Sequence, residues 1–111
     1  GSVYHIRIRT AKTWTGSLTE PSLAIALLNS VLHYQQQSGW NNHLFLLMPD
    51  HLHTLVSFNP DKSMSRSIGN WKSYHARTSG IQWQSNYFDH RIRNEIELLS
   101  KNMVTYSTTL S

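Results

Sequence analysis

Cysteine is absent from this 111-residue chain. That excludes a disulfide framework, a thiolate zinc site and a cysteine nucleophile, and leaves any metal to His, carboxylate, amide or hydroxyl groups. Long apolar runs are missing too. The longest, Leu23 to Leu28 and Leu44 to Met48, fall far short of the ~18 residues that a membrane span needs. Charge is sparse, at 14% of residues, and the acidic share is small: Asp+Glu 6 against Lys+Arg 10, a net charge of +4. No signal-peptide pattern opens the chain, and Gly1-Ser2 reads as an expression scar. A cytoplasmic location and no membrane partner are the simplest expectations. Repeats, linkers and low-complexity tracts are also lacking, so residues 1–111 read as one domain.

Hydrophobic residues at 39% and aromatics at 11% are enough for a core and argue against global disorder. The basic residues are unevenly placed. Lys62, Arg66, Lys72, Arg77, Arg91, Arg93 and Lys101 are seven of the ten, all in the second half. A basic half-surface suits a polyanion such as nucleic acid, with ordinary solvated charge as the competing reading.

Periodicity supplies the elements. Val3 to Thr10 (VYHIRIRT) alternates, with Tyr4, Ile6 and Ile8 on one face and His5, Arg7 and Arg9 on the other, as in a half-buried strand. Ser17-x-x-Glu20 before Pro21 predicts a capped helix start. Ala24, Leu27, Leu28, Val31 and Leu32 continue it as an apolar stripe that ends near Gln35 to Gly39. His43 to Met48 and His51 to Phe58 read as a hairpin around Pro49-Asp50. Ser63 or Ser65 caps a second helix through about Arg77, with Met64, Ile68 and Trp71 inward and Ser79-Gly80 ending it. Ile81 to Tyr87 reads as a short strand or an extended loop. Ile92, Ile96, Leu99, Met103 and Tyr106 make the stripe of a closing helix. The order predicts an α+β, ferredoxin-like sandwich, an antiparallel sheet with helices packed on one face.

His51-Leu52-His53 is the sharpest chemical feature. Alternate residues of a strand share a face, about 6.6 to 6.8 Å apart at Cα, so two imidazoles can converge on one divalent ion. Two unrelated polar side chains would give the same pattern. Imidazole ligation by itself points to zinc, nickel or manganese.

The segment FLLMPDHLHTLVSF, preceded by VYHIRIRT and followed by SIGNWKSYHAR and WQSNYFDHRIR, resembles the REP-associated tyrosine transposases. These are single-tyrosine relatives of the insertion-sequence transposases within the HUH endonuclease group. The resemblance runs from the first strand to about residue 101, and His51-Leu52-His53 stands at the His-hydrophobic-His motif that names the group. It implies a nuclease and strand transferase acting on single-stranded or hairpin DNA, with Mg2+ or Mn2+ on His51 and His53. A tyrosine hydroxyl would attack a phosphodiester and leave a 5′-phosphotyrosine and a free 3′-hydroxyl. A cation beside the phosphate neutralises developing charge, and it helps ionise a phenol whose pKa is ordinarily about 10.

The family places its nucleophile on the helix after an Asp-His-x-Ile/Leu-Arg motif, which Asp89 to Arg93 (DHRIR) matches. The usual Tyr-Ile-x-x-Asn-Pro does not follow; Lys101 to Ser111 reads KNMVTYSTTLS. Tyr106 is the tyrosine left for the role, with C-terminal or core packing as its other reading. The position four residues on, Leu110, cannot bind metal, so water or Asn102 would complete the site. Another register sets Met103 and Ser107 at the family's Tyr and Asn positions, which would give an inactive DNA-binding module. A hydrolase using water in place of tyrosine is a third possibility.

Lys72 and Arg77 match the family's basic pair and are expected to grip phosphate, unless they are solvated helix charge. Arg91 and Arg93 are expected to bind DNA or to pair with Asp89. His90 reads as a hydrogen-bonded structural histidine rather than a ligand, Asp50 as a turn residue, and His5 as an outward residue of the first strand, with a place bordering the metal as its lesser reading. Trp40, Trp83 and Tyr87 are core residues or base-stacking platforms. The resemblance also suggests a bacterial, nucleoid-associated protein, and it leaves a homodimer open because relatives occur both as monomers and as dimers.

Overall fold

The alternation of the first segment becomes β1 (Val3–Arg9), the strand against which two others pair. A computed structural model describes residues 2–37 and 39–92. Five elements follow β1: α1 (Pro21–Gln36), β2 (Trp40–Leu47), β3 (His51–Phe58), α2 (Met64–Ser79) and β4 (Phe88–Ile92). The strands form one antiparallel sheet in the order β2-β3-β1-β4. This is the expected ferredoxin-like arrangement.

The core lies between the sheet and both helices. Ile6 and Ile8 of β1 and Leu52 and Val56 of β3 meet Leu27 and Val31 of α1 and Ile68 and Trp71 of α2. Every second strand residue is used for this, so the residues between them are committed to the other side, called here the outer face. Trp71 is 1% exposed and stands within ring contact of Trp40, Phe45, His75 and Trp83. Its indole N–H donates to Ser30 Oγ at 2.9 Å, which ties α2 to α1.

Three expectations are corrected. The cap of α1 is Glu20, whose carboxylate accepts from the backbone N–H of Ser22 and Leu23. Pro21 occupies the first helical position, so the residue just before it is the one placed to cap, while Ser17 Oγ turns to Thr19. Leu32, assigned to the apolar stripe, is 38% exposed, because Leu27 and Val31 already meet the sheet. The last strand is Phe88–Ile92, and of the two readings of 81–87, short strand or extended loop, the loop holds. Residues 81–87 run beside the end of β1: Thr10 bridges Trp83, Ala11 N–H donates to Gln82 O and Gln84 N–H donates to Arg9 O. Ile92 pairs with Val3 as the end of β4 rather than opening a helix. The remainder of the expected closing helix, with Tyr106, lies outside the described residues.

β2 opens at Trp40, three residues before the expected His43, and the ends of α2 agree with the sequence. Ser63 caps α2 by accepting from Arg66 N–H, and Gly80 ends it at φ 70°, a left-handed conformation that glycine adopts without strain. In β2 the register shifts between Asn42 and Leu44. This turns Leu44 outward, where it meets Leu55, Val3 and Ile92 in a small apolar cluster. The Thr54 hydroxyl, facing Asn42 Oδ1 and Leu44 O, holds that irregularity in place.

Candidate metal and nucleic-acid site

The tight turn at Pro49-Asp50 delivers the chain into β3 with Leu52, Thr54 and Val56 facing the helices. His51 and His53 therefore share the outer face. Their neighbours come from β1, where Arg9 stands opposite His51 and Arg7 opposite His53. On the far side of β1, Phe88 stands opposite Arg7 and His90 opposite His5.

Each histidine of the pair has its Nδ1 engaged. His51 Nδ1 lies 2.8 Å from Asp50 Oδ1, and His53 Nδ1 lies 3.0 Å from His5 Nε2. A carboxylate can only accept, so His51 donates from Nδ1, and Nε2 is the nitrogen left to face a cation. If His53 donates from Nδ1 to His5 Nε2, its own Nε2 is left in the same way. The hydrogen bond from His51 holds the Asp50 carboxyl below its ordinary pKa, with Arg9 assisting. His53 is held below the usual imidazole value, chiefly by burial and then by the charges of His51, Arg7 and Arg9. A neutral ring is the form that binds a cation.

The spacing of the two rings is that of two imidazoles sharing one ion. An imidazole on a metal bond of ~2.1 Å has its centroid ~3.3 Å from the ion, so two adjacent ligands place their centroids ~4.6 to 5.3 Å apart. The centroids of His51 and His53 are 5.0 Å apart, with the rings crossed at 84°. Among the described residues no group of three or more His, Cys, Asp or Glu is arranged to hold a metal. His5 and Asp50 stand behind the pair, on the Nδ1 sides, where they orient the two rings.

The expected DNA-binding residues are dispersed. Lys72 is half-buried on α2 and donates from Nζ to Gln84 O at 2.8 Å, and burial lowers its pKa. It clasps the 81–87 segment. Arg77 is exposed at the end of α2, bonded to its own helix through Ser73 O. Arg91 faces the helix side of β4, opposite Tyr4, and so not the side of the histidines. No ion pair joins the described Arg91 and Asp89. Arg93, Tyr106 and Asn102 lie outside the described residues. Trp40 is buried in the core, and Trp83 and Tyr87 pack against it.

The cations that do border the pair are Arg7 and Arg9. The Arg7 guanidinium lies 5.0 Å from the centroid of Phe88, which is 40% exposed. The alternation of β1 already set Arg7 and Arg9 outward, but the strand register was needed to bring them to His51 and His53.

Fold and site together define a ferredoxin-like domain with a two-histidine, arginine-flanked centre on the outer face of its sheet. The family described as "Transposase IS200 like" matches residues 2–101, and the chain belongs to it. Among solved structures, a REP-associated tyrosine transposase bound to a REP hairpin aligns with a TM-score of 0.68 at 16% identity, over 91% of this chain. This chain spans 62% of that protein's length. A protein of Deinococcus radiodurans R1, provisionally described as a transposase, aligns with a TM-score of 0.68 at 16% identity, over 95% of this chain and 90% of that one. No curated protein matches. No described helix is long and apolar enough to cross a membrane.

Proposed function

We propose that this chain is a DNA transposase that cleaves and rejoins single-stranded DNA, including hairpin-bearing DNA, with a divalent metal at His51 and His53. The observation that carries the reading is the histidine pair itself, with centroids 5.0 Å apart and both Nδ1 atoms engaged. Family membership and the hairpin carried by one structural neighbour support a DNA substrate. Mg2+ or Mn2+ held there would act as a Lewis acid on the phosphate. Arg7 and Arg9 add fixed positive charge next to the same position.

Tyr106 is the proposed nucleophile. Its phenolic oxygen forms a bond to phosphorus while the bond from phosphorus to the 3′-oxygen breaks. The phenol's proton is given up, and the leaving 3′-oxygen takes one to become a free hydroxyl. The 5′-phosphotyrosine retains the bond energy, so attack by a 3′-hydroxyl rejoins the strand. A DNA-binding module without catalysis is the second reading, favoured by the missing Asn-Pro after Lys101.

Denaturing electrophoresis of a labelled single strand mixed with the protein in manganese tests the reading. A covalent adduct is expected from the wild type and none from Tyr106→Phe. An adduct that persists in the Phe variant would place the nucleophile elsewhere. No adduct from either protein, on a strand it binds, would favour the inactive module.

A further inference from the structure

A cleft of ≈ 320 Å³ opens at the end of β1, between the chain that follows it, the turn before β3 and the 81–87 segment. Arg9, Lys12, Trp14, Gly16, Asp50 and Gln84 line it. Its size falls within the range of small-ligand sites, and two of its residues also belong to the histidine centre. Asp50 Oδ1 bonds His51, and Arg9 stands opposite His51 in the sheet. The cleft therefore begins where that centre ends.

Its walls are fixed by hydrogen bonds. Thr10 donates from both its N–H and its hydroxyl to Asp50 O, at 2.9 and 3.1 Å. Gln84 N–H donates to Arg9 O at 2.9 Å, and Lys72 clasps Gln84 O from behind. Trp14 N–H closes a turn on Ala11 O at 3.0 Å. The indole then lies directly against Gly16. A Cβ at Gly16 would stand 2.3 Å from Trp14 Cζ2, so only glycine leaves the ring this place. Trp14 stays part-exposed, while Arg9 and Lys12 are exposed.

A part-exposed indole that shares a cleft with two cations, beside the histidine pair, has the chemistry of a single-stranded nucleic-acid subsite. We infer that the Trp14–Gly16 cleft receives one nucleotide of single-stranded DNA, its base stacked on Trp14 and its phosphates met by Arg9 and Lys12. This rests on the proposed function above: the nucleotide adjoins the one whose phosphate sits at His51 and His53. Paired bases cannot offer a free face to the indole, so the cleft selects unpaired DNA.

Fluorescence anisotropy with a labelled single strand of randomised sequence, and with its duplex as competitor, tests the inference. Trp14→Ala should weaken single-strand binding about tenfold, the usual effect of losing one stacked base, and Trp14→Phe should restore most of it. Gly16→Ala displaces the indole, which also packs against the core, and should weaken binding in the same direction at a temperature where circular dichroism shows the variant folded. Lys12→Ala should flatten the salt dependence by about 0.7 per log unit, one phosphate contact on a single strand. Wild-type affinity and salt slope in Trp14→Ala, Gly16→Ala and Lys12→Ala alike would overturn the cleft and leave the proposed function standing. Failure of the wild type to bind the single strand would overturn both.

Discussion

His5 on β1 and His53 on β3 are joined across the sheet, His5 Nε2 to His53 Nδ1 at 3.0 Å, with their rings stacked at a centroid distance of 5.2 Å. They are not direct partners in the ladder, where His5 faces Leu55 and Arg7 faces His53. The contact runs on the diagonal, a distance that long or ring-bearing side chains can bridge. It fixes the orientation of His53 in the way Asp50 fixes that of His51.

The first prediction follows from this division between ligands and their supports. His51→Ala and His53→Ala should abolish manganese binding measured by calorimetry, because each removes one of two imidazole donors. Asp50→Ala and His5→Ala remove only a support and should weaken binding about 10- to 100-fold. Wild-type affinity in both support variants would show that Nδ1 anchoring contributes nothing.

Arg7 stands next to His53 and Arg77 does not, although both are arginines of a basic chain. Arg7→Gln should therefore lower affinity for single strands of unrelated sequence alike and reduce the salt slope by about 0.7 per log unit. An unchanged slope in titrations across sodium chloride concentrations would place Arg7 away from the phosphates.

Lys72 gives a prediction about stability. Its ammonium lies half-buried against Gln84 O, and Trp83 Nε1 donates to the Lys72 carbonyl at 3.0 Å, so α2 and the 81–87 segment are latched twice. Lys72→Met keeps the aliphatic stem and removes the charged donor, which should cost about 1.5–3 kcal/mol in urea unfolding. A midpoint equal to that of the wild type would mean that water replaces the bond without loss.

Much of this architecture was legible in the residues. The alternation in VYHIRIR, the Ser63 cap, the Gly80 stop and the Pro49-Asp50 turn act locally, so local patterns reported them. The histidine pair was legible for the same reason, since spacing of two on a strand dictates a shared face. β4 was not. Phe88 of FDHRI faces outward and is exposed, whereas Ile81 and Trp83 just before it carry the stronger apolar pattern and pack on the core from a loop. The partners of the pair were hidden as well. That Asp50 turns to His51 depends on turn geometry, and that His5 meets His53 depends on cross-strand register. The Trp14–Gly16 contact lay in a stretch that reads only as polar turn.

The last prediction concerns His75, a histidine the metal centre does not use. It is 1% exposed on α2, with Nε2 2.6 Å from Ser30 Oγ and no partner for Nδ1. Ser30 also accepts from Trp71 Nε1 and donates to Leu27 O at 2.7 Å. Its single proton is thus committed, and His75 must be the donor from Nε2. Nδ1 is then a bare lone pair, and a proton added there would be a buried N–H with no acceptor. Burial accordingly pushes the His75 pKa from 6.5 down to about 4. In the unfolded chain the ring takes up its proton near the ordinary value, while the folded chain resists until about 4. The contribution to stability is complete above 6.5 and is lost progressively as pH falls toward 4, to a limit of about 3 kcal/mol. His75→Leu preserves burial and leaves Ser30 bonded to Trp71 and Leu27. Urea midpoints should fall between neutral pH and about 4 in both proteins, because carboxylates titrate in each, but more steeply in the wild type. Parallel curves for the two proteins would show that His75 does not resist protonation in the fold.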